Sequence, residues 1–195
     1  MPRIILASTS RYRRELLARL GLPFDVQAPA TPEVALDGEP SDRMAARLAL
    51  AKARSIGTRD ALVIGSDQVA SLDGQILRKP GTHDVAVAQL LACQGRTVLF
   101  HTAAAVVATD SGAKTEHLDL TEVHFRRLDT AALEEYVRRD KPLDCAGSFK
   151  SEGLGVALFE HISTRDPTAL IGLPLIWLAQ ALKGMGVDPL RPLRP

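Results

Sequence analysis

The stretch Ala61-Leu-Val-Ile-Gly-Ser-Asp-Gln-Val-Ala-Ser-Leu-Asp-Gly-Gln-Ile-Leu-Arg-Lys-Pro80 limits the fold more than any other part of the chain. Leu62, Val63 and Ile64 form an apolar run with two β-branched members, the pattern of a buried strand. Gly65-Ser66 then loosens the backbone, and Asp67 is expected where the strand leaves the core. Asp73-Gly74 is a strong two-residue hairpin signal, because both central residues of a type I′ turn need positive φ. The returning strand, Gln75 to Leu77, brings Lys79 back alongside the strand that carries Asp67. A carboxylate and an ammonium are thereby expected on rigid backbone, although a turn-capping acid and a solvated lysine would produce the same local sequence.

Upstream, Ile4 to Ala7 reads as a short buried strand, Ser8-Thr9-Ser10 as a polar turn, and Arg11 to Leu20 as a helix on Leu16, Leu17 and Leu20. Arg11, Arg13 and Arg14 crowd its first turn, where the backbone dipole is already positive. Each costs about 0.3–1 kcal/mol there unless an anion binds among them. Serine hydroxyls, unpaired N–H groups and arginines together suit a phosphate, while arginines splayed into solvent remain the alternative. A short strand near Asp25 to Ala28 leads into a Pro- and acid-rich loop holding Glu33, locally an ordinary loop acid. Ser41 is expected to cap a helix running to about Ile56. Lys52 lies four residues from both Leu48 and Ile56, on or beside that helix's buried face, so it either snorkels outward or meets a buried anion.

Thr82 is expected to cap a helix through Cys93, and Thr97 to Ala108 reads as a long buried strand. Asp110-Ser-Gly112 turns the chain into a strand over Thr115 to Arg127, and Asp129 caps a helix through Arg139. The glycine-rich span Asp144 to Gly155, with Lys150 and Glu152, suits a loop that approaches a ligand closely, or a plain surface loop. Val156 to Ile162 reads as a strand, Leu170 to Leu182 as a last helix distorted by Gly172 and Pro174, and the tail after Gly186 as frayed. The order β-α-β-α-β-β-α-β-β-α-β-α predicts an α/β fold around a mixed sheet. At 195 residues the chain fits one domain, over 1–186, followed by a Pro-rich tail over 187–195.

A net charge of +1 removes the field that non-specific nucleic-acid binding needs, so no nucleic-acid polymer is expected as partner. Cys93 and Cys145 lack C-x-x-C spacing and read as free thiols of a reducing compartment. The five histidines form no H-x-x-x-H pair. With no signal-peptide pattern and no bilayer-length apolar run, a cytoplasmic protein without membrane association is expected.

Leu6-Ala-Ser-Thr-Ser-Arg-Tyr-Arg-Arg-Glu-Leu-Leu17, Ile64-Gly-Ser-Asp-Gln-Val69, Lys79-Pro80, Cys145-Ala-Gly-Ser-Phe-Lys-Ser-Glu-Gly153 and Arg165-Asp-Pro-Thr-Ala-Leu-Ile-Gly-Leu-Pro174 together resemble the Maf family of nucleoside-triphosphate pyrophosphatases. The likeness covers nearly the whole chain. Ser-Asp-Gln-Val in place of Ala-Asp-Thr-Val, with Lys150-Ser-Glu152, looks like the branch that hydrolyses 7-methyl-GTP. A dTTP or UTP pyrophosphatase, or a nucleotide-sensing regulator of septum formation, is the alternative. The resemblance implies an elongated, inosine-triphosphatase-like domain, with helices flanking a mixed, twisted sheet and a central nucleotide cleft. It also implies Asp67 as catalytic proton acceptor, and Ser8, Arg13, Arg14, Lys52, Lys79 and Lys150 as substrate-binding residues. Tyr12, Gln68 and Glu152 would tune base choice. Glu33 and Asp67 would hold a divalent cation (magnesium, manganese or cobalt), and the partners implied are a small nucleotide substrate and, as an open alternative, a second copy of the chain. Departures from the family pattern include Arg11 in place of Pro and Tyr12 where this branch often has Trp.

Overall fold

A computed structural model of the chain describes residues 2–191. Its elements follow the expected order: β1 (Arg3–Ala7), α1 (Arg11–Ala18), β2 (Asp25–Gln27), α2 (Ser41–Arg54), β3 (Ala61–Leu72), β4 (Gln75–Leu77), α3 (His83–Cys93), β5 (Thr97–Ala108), β6 (Lys114–Phe125), α4 (Thr130–Asp140), β7 (Phe159–Ser163) and α5 (Leu175–Gly184). The seven strands form one mixed sheet in the order β2-β1-β3-β5-β6-β7, with β4 paired to β3. The chain divides into two compact units.

Among the described residues, the first unit comprises 2–68, 102–119 and 166–191. Here β1 runs parallel to both β2 and β3, with Ile5 opposite Val63 and Leu6 opposite Ile64. Strand alternation sends Ile4, Leu6, Leu62, Ile64, Ala104 and Val106 to one face, where they pack on Leu16 and Leu17 of α1 and Leu178 and Leu182 of α5. Ile5, Ala7, Ala61, Val63, Ala105 and Val107 pack on the other face with Ala53 and Ile56. Leu16 and Leu17 are fully buried, worth about 1.5–3 kcal/mol each. That outweighs the arginine-crowded first turn, which contains no acid. Val187 is buried in the first of these clusters and donates its N–H to the Leu182 carbonyl. The expected fraying of the tail therefore does not begin directly after Gly186, and its last residues, 192–195, lie outside the described residues.

The second unit comprises residues 69–101 and 120–165. Asp73 and Gly74 both take positive φ, 47° and 81°, and fold β4 back antiparallel on β3 with Ser71 opposite Ile76. Its core is aromatic: Phe100, Phe125, Phe149 and Phe159 meet edge-to-face at centroid distances of 4.7–5.7 Å. Thr82 and Asp129 cap α3 and α4 as expected, their side chains accepting from the N–H of Val85 and Ala132.

Several expectations are corrected. Ser41 does not cap α2; it is the first helical residue, preceded by Pro40, which gives no side-chain cap. The apolar run Val156–Leu158 is a 3-10 turn over Leu154–Leu158, and the strand starts only at Phe159. The last helix starts at Leu175, because residues 166–174 are held as a hydrogen-bonded loop. Asp166 accepts from the N–H groups of Thr168 and Ile176, and Thr168 Oγ1 accepts from the Leu175 N–H. Asp67 is not at a strand end either: β3 runs on to Leu72.

Candidate active site

Within the first unit the site is built on β3 and α2. Gly65 decides how near they come. A Cβ there would lie 2.2 Å from the Ala49 carbonyl oxygen and 2.6 Å from the Ala53 nitrogen, so only glycine lets α2 lie this close to the strand. Two residues along, on the same face, Asp67 meets Lys52 of α2, whose Nζ donates to Asp67 Oδ1 at 2.6 Å. Lys52 is 3 % exposed, so it does not snorkel; it meets a buried anion. Its Nζ also donates to Glu33 Oε1, leaving one ammonium between a buried and an exposed carboxylate. The loop that carries Glu33 is tied down by Arg47 of α2, which bonds Glu39 through Nε and Nη2, each at 2.6 Å, and the Val34 carbonyl.

Burial raises the Asp67 pKa above the ordinary aspartate value, opposed by Lys52 and Arg13. The same carboxylate, with Glu33, acts on Arg13, whose pKa burial lowers and whose charge those two acids sustain. Arg13, Glu33, Lys52 and Asp67 therefore share one electrostatic neighbourhood. Arg13 Nε donates to the Gly172 carbonyl at 2.9 Å. Ser8 is buried, and its hydroxyl accepts from the Ser10 N–H, while Ser10 caps α1 by accepting from the Arg13 N–H. Arg14 is exposed, and Tyr12 is half-buried beneath the Arg11 guanidinium, 4.7 Å from the ring centroid.

Gln68 is on the opposite face of β3 from Asp67. Its amide nitrogen donates to Thr102 Oγ1 at 2.9 Å and to the Ala169 and Leu170 carbonyls, each at 3.0 Å. Ser66, fully buried on the same face, donates to the Ala103 and Gly172 carbonyls, each at 2.8 Å. Neither Ser66 nor Arg47 stood out in the sequence. For Ser66 the signal was the even-numbered parity it shares with Leu62 and Ile64; for Arg47 there was none beyond an acid eight residues away.

Lys79, Lys150 and Glu152 belong to the second unit. Lys79 is exposed just beyond β4, and Glu152 is exposed beside Ser151. Lys150 is committed to the end of α4, where its ammonium donates to the Asp140 and Lys141 carbonyls. In the same loop a Cβ on Gly155 would lie 2.3 Å from the Lys150 carbonyl oxygen, so here glycine answers to the protein's own backbone. No group of three or more His, Cys, Asp or Glu side chains converges among the described residues, and no helix among them is long and apolar enough to cross a membrane.

The family model described as "Maf-like protein" matches residues 3–185. A 7-methyl-GTP pyrophosphatase of Albidiferax ferrireducens is 50 % identical over 190 residues, 96 % of each chain. One of Xanthomonas axonopodis pv. citri is 54 % identical over 188 residues, 95 % of this chain and 98 % of the relative. One of Thiobacillus denitrificans is 51 % identical over 191 residues, 97 % of this chain and 95 % of the relative. A match of this extent, on a mixed sheet whose third strand carries a buried aspartate held by a helix lysine, makes the chain a member of the Maf family.

Proposed function

We propose that this chain is a nucleoside-triphosphate pyrophosphohydrolase and that 7-methyl-GTP is its substrate. A water oxygen bonds to the α-phosphorus, and the bond from that phosphorus to the α–β bridging oxygen breaks. Its electron pair leaves on pyrophosphate, and the water's proton passes to a base, leaving a nucleoside monophosphate. The observation that carries this reading is the buried Asp67 carboxylate, held by Lys52 and in electrostatic reach of Arg13. A carboxylate with a raised pKa is a better proton acceptor than an ordinary aspartate, and Asp67 takes that role. Arg13 and Arg14 at the start of α1, with Ser8 and Lys52, neutralise the phosphate oxygens. Lys79 adds a cation, and Lys150 contributes through the loop it anchors.

Glu33 and Asp67 already face one positive charge, Lys52. Two carboxylates completed by phosphate oxygens suit a hard divalent cation such as magnesium, manganese or cobalt. When bound, that ion neutralises charge on the phosphates. N7-methylation makes guanine cationic, and the Tyr12 ring is assigned to favour such a base; Glu152 is assigned separately as a specificity residue, a carboxylate being suited to a cationic ring. The names of the relatives support that choice. Two free cysteines are in keeping with a reducing cytoplasm.

Pyrophosphate release from 7-methyl-GTP, GTP, dTTP and UTP, with and without a chelator, tests the proposal. The highest kcat/KM is expected on 7-methyl-GTP, with loss on chelation. Faster dTTP or UTP turnover would move the substrate assignment, and tight binding without pyrophosphate release would favour a nucleotide sensor.

A further inference from the structure

We infer that Gln89, anchored by Ser148, is a positioning residue for Lys79. The inference rests on the pyrophosphohydrolase reading above, in which Lys79 meets the substrate's phosphates, and it adds two residues which that reading leaves unused. All three belong to the second unit. β4 ends at Leu77, so Lys79 lies two residues past the strand, with an exposed side chain. A cation on loose backbone would lose conformational freedom each time it met an anion. Here the chain is clamped on both sides of Lys79. On one side the Arg78 carbonyl accepts from Gln89 Nε2 at 3.0 Å. On the other, Pro80 is buried and the Gly81 N–H donates to the Leu143 carbonyl at 3.0 Å.

Gln89 projects from α3, and both ends of its amide are used. A backbone carbonyl can only accept, so Arg78 fixes the amide nitrogen on its side, and the amide oxygen is left to accept from Ser148 Oγ at 2.6 Å. Ser148 is fully buried and has a φ of 62°, in the left-handed region where glycine is the easier residue. What serine adds at that position is the hydroxyl that holds Gln89. The turn around it is fixed in its own right. The Ser148 N–H donates to the Cys145 carbonyl at 3.2 Å, and a Cβ on Gly147 would lie 3.0 Å from Phe100 Cζ. Phe149, the next residue, meets Phe100 edge-to-face at 5.2 Å. A line of contacts thus runs from the aromatic core through one glutamine amide to the backbone beside Lys79. A group positioned in this way acts on the phosphates, which every nucleoside triphosphate shares.

The test separates positioning from loss of fold. Gln89→Met keeps the length of the side chain and removes the amide. Gln89→Glu, ionised, still accepts from Ser148 but has no proton for the Arg78 carbonyl. Positioning predicts that both lose about 10- to 100-fold in kcat/KM for pyrophosphate release, the scale of a misplaced catalytic group. That loss should be alike on 7-methyl-GTP and GTP, and it should vanish in a Lys79→Ala background, where nothing is left to position. A purely structural defect would persist in that background. Losses additive with Lys79→Ala, a loss confined to one nucleotide, or wild-type activity in Gln89→Glu overturn the inference. A second measurement needs no turnover. The backbone order parameter of Lys79 should be about 0.85 in the wild type, the value of rigid structure, and below about 0.6 in Gln89→Met. It should also fall in Ser148→Gly, which suits the φ and removes only the hydroxyl, while that of Leu90 in α3 stays unchanged in both variants. An unchanged Lys79 value in either variant overturns the inference even if the chain proves not to be a hydrolase. Lowered values in a chain without pyrophosphate release would retain the positioning and remove the proposed activity.

Discussion

Asp67 is poised between two opposing demands. Burial favours its neutral form, while Lys52 and Arg13 favour the anion, and burial prevails, so the carboxyl titrates above the ordinary aspartate value. Two consequences have opposite signs. As a base, Asp67 must be unprotonated, so kcat/KM should rise with pH as Asp67 loses its proton; the raised pKa is that of the metal-free protein, and a divalent cation on the same carboxylate lowers it. As a buried group whose folded pKa exceeds its unfolded one, it contributes stability below the unfolded value and loses that contribution as pH climbs through the folded value. The Tm of the metal-free protein should therefore decline in the window where pH climbs through the folded value, while the rate rises as Asp67 deprotonates, and paired pH profiles of rate and Tm check both. Asp67→Asn should keep the fold, lose at least about 100-fold in kcat, and flatten the Tm change in that window. Near-wild-type turnover in that variant would remove Asp67 from the mechanism. Glu152→Gln should narrow the kcat/KM gap between 7-methyl-GTP and GTP, and an unchanged ratio would count against a role for Glu152 in favouring the methylated base.

At the scale of elements, the pairing of α2 with β3 is what turns separate residues into a site. Lys52 reaches Asp67 only because Gly65 admits the helix backbone. Gly65→Ala should force α2 outward and cost about 1–3 kcal/mol of stability, as overpacking of a filled interior does, with a fall in kcat as the Lys52–Asp67 contact opens. Gly57→Ala, where a Cβ meets nothing within 4 Å, is the control. Comparing Tm and kcat for the two variants distinguishes a helix displaced from its strand from a general intolerance of alanine. The sequence made the order of elements legible, because apolar periodicity and caps at Thr82 and Asp129 are local signals. Lys52 was legible only as a choice between solvent and an anion, since the anion comes from another element. The extent of β3 was not legible. Its apolar run stops at Ile64, yet the strand continues because Ser66, Asp67 and Gln68 all find partners inside the protein, and those partners lie up to 106 residues away. The helical reading of 170–174 failed for a related reason: the side chains of Asp166 and Thr168 bind the backbone of their own loop and compete with helix formation.

For the whole molecule, the chain path makes a prediction about cooperativity. The chain passes between its two compact units four times, three of them within β3, β5 and β6, and each of these strands is 12 residues long, where about 5–6 is usual. To melt one unit alone, the chain would have to end its order in the middle of three strands of a single hydrogen-bonded sheet. A natural probe lies in each unit. Trp177, the one tryptophan, stacks on His117 at 5.2 Å in the first. Cys93 is fully buried in the second, its thiol pKa pushed up to about 12, so it is inert to thiol reagents until it is exposed. In a denaturant titration, Trp177 fluorescence and Cys93 labelling should give one midpoint. A nucleotide that binds only the folded chain should then stabilise both probes alike: at 100 times its Kd, 7-methyl-GTP should stabilise each by about 2.7 kcal/mol. Separate midpoints, or stabilisation seen by Trp177 but not by Cys93, would mean that the shared strands do not couple the two units.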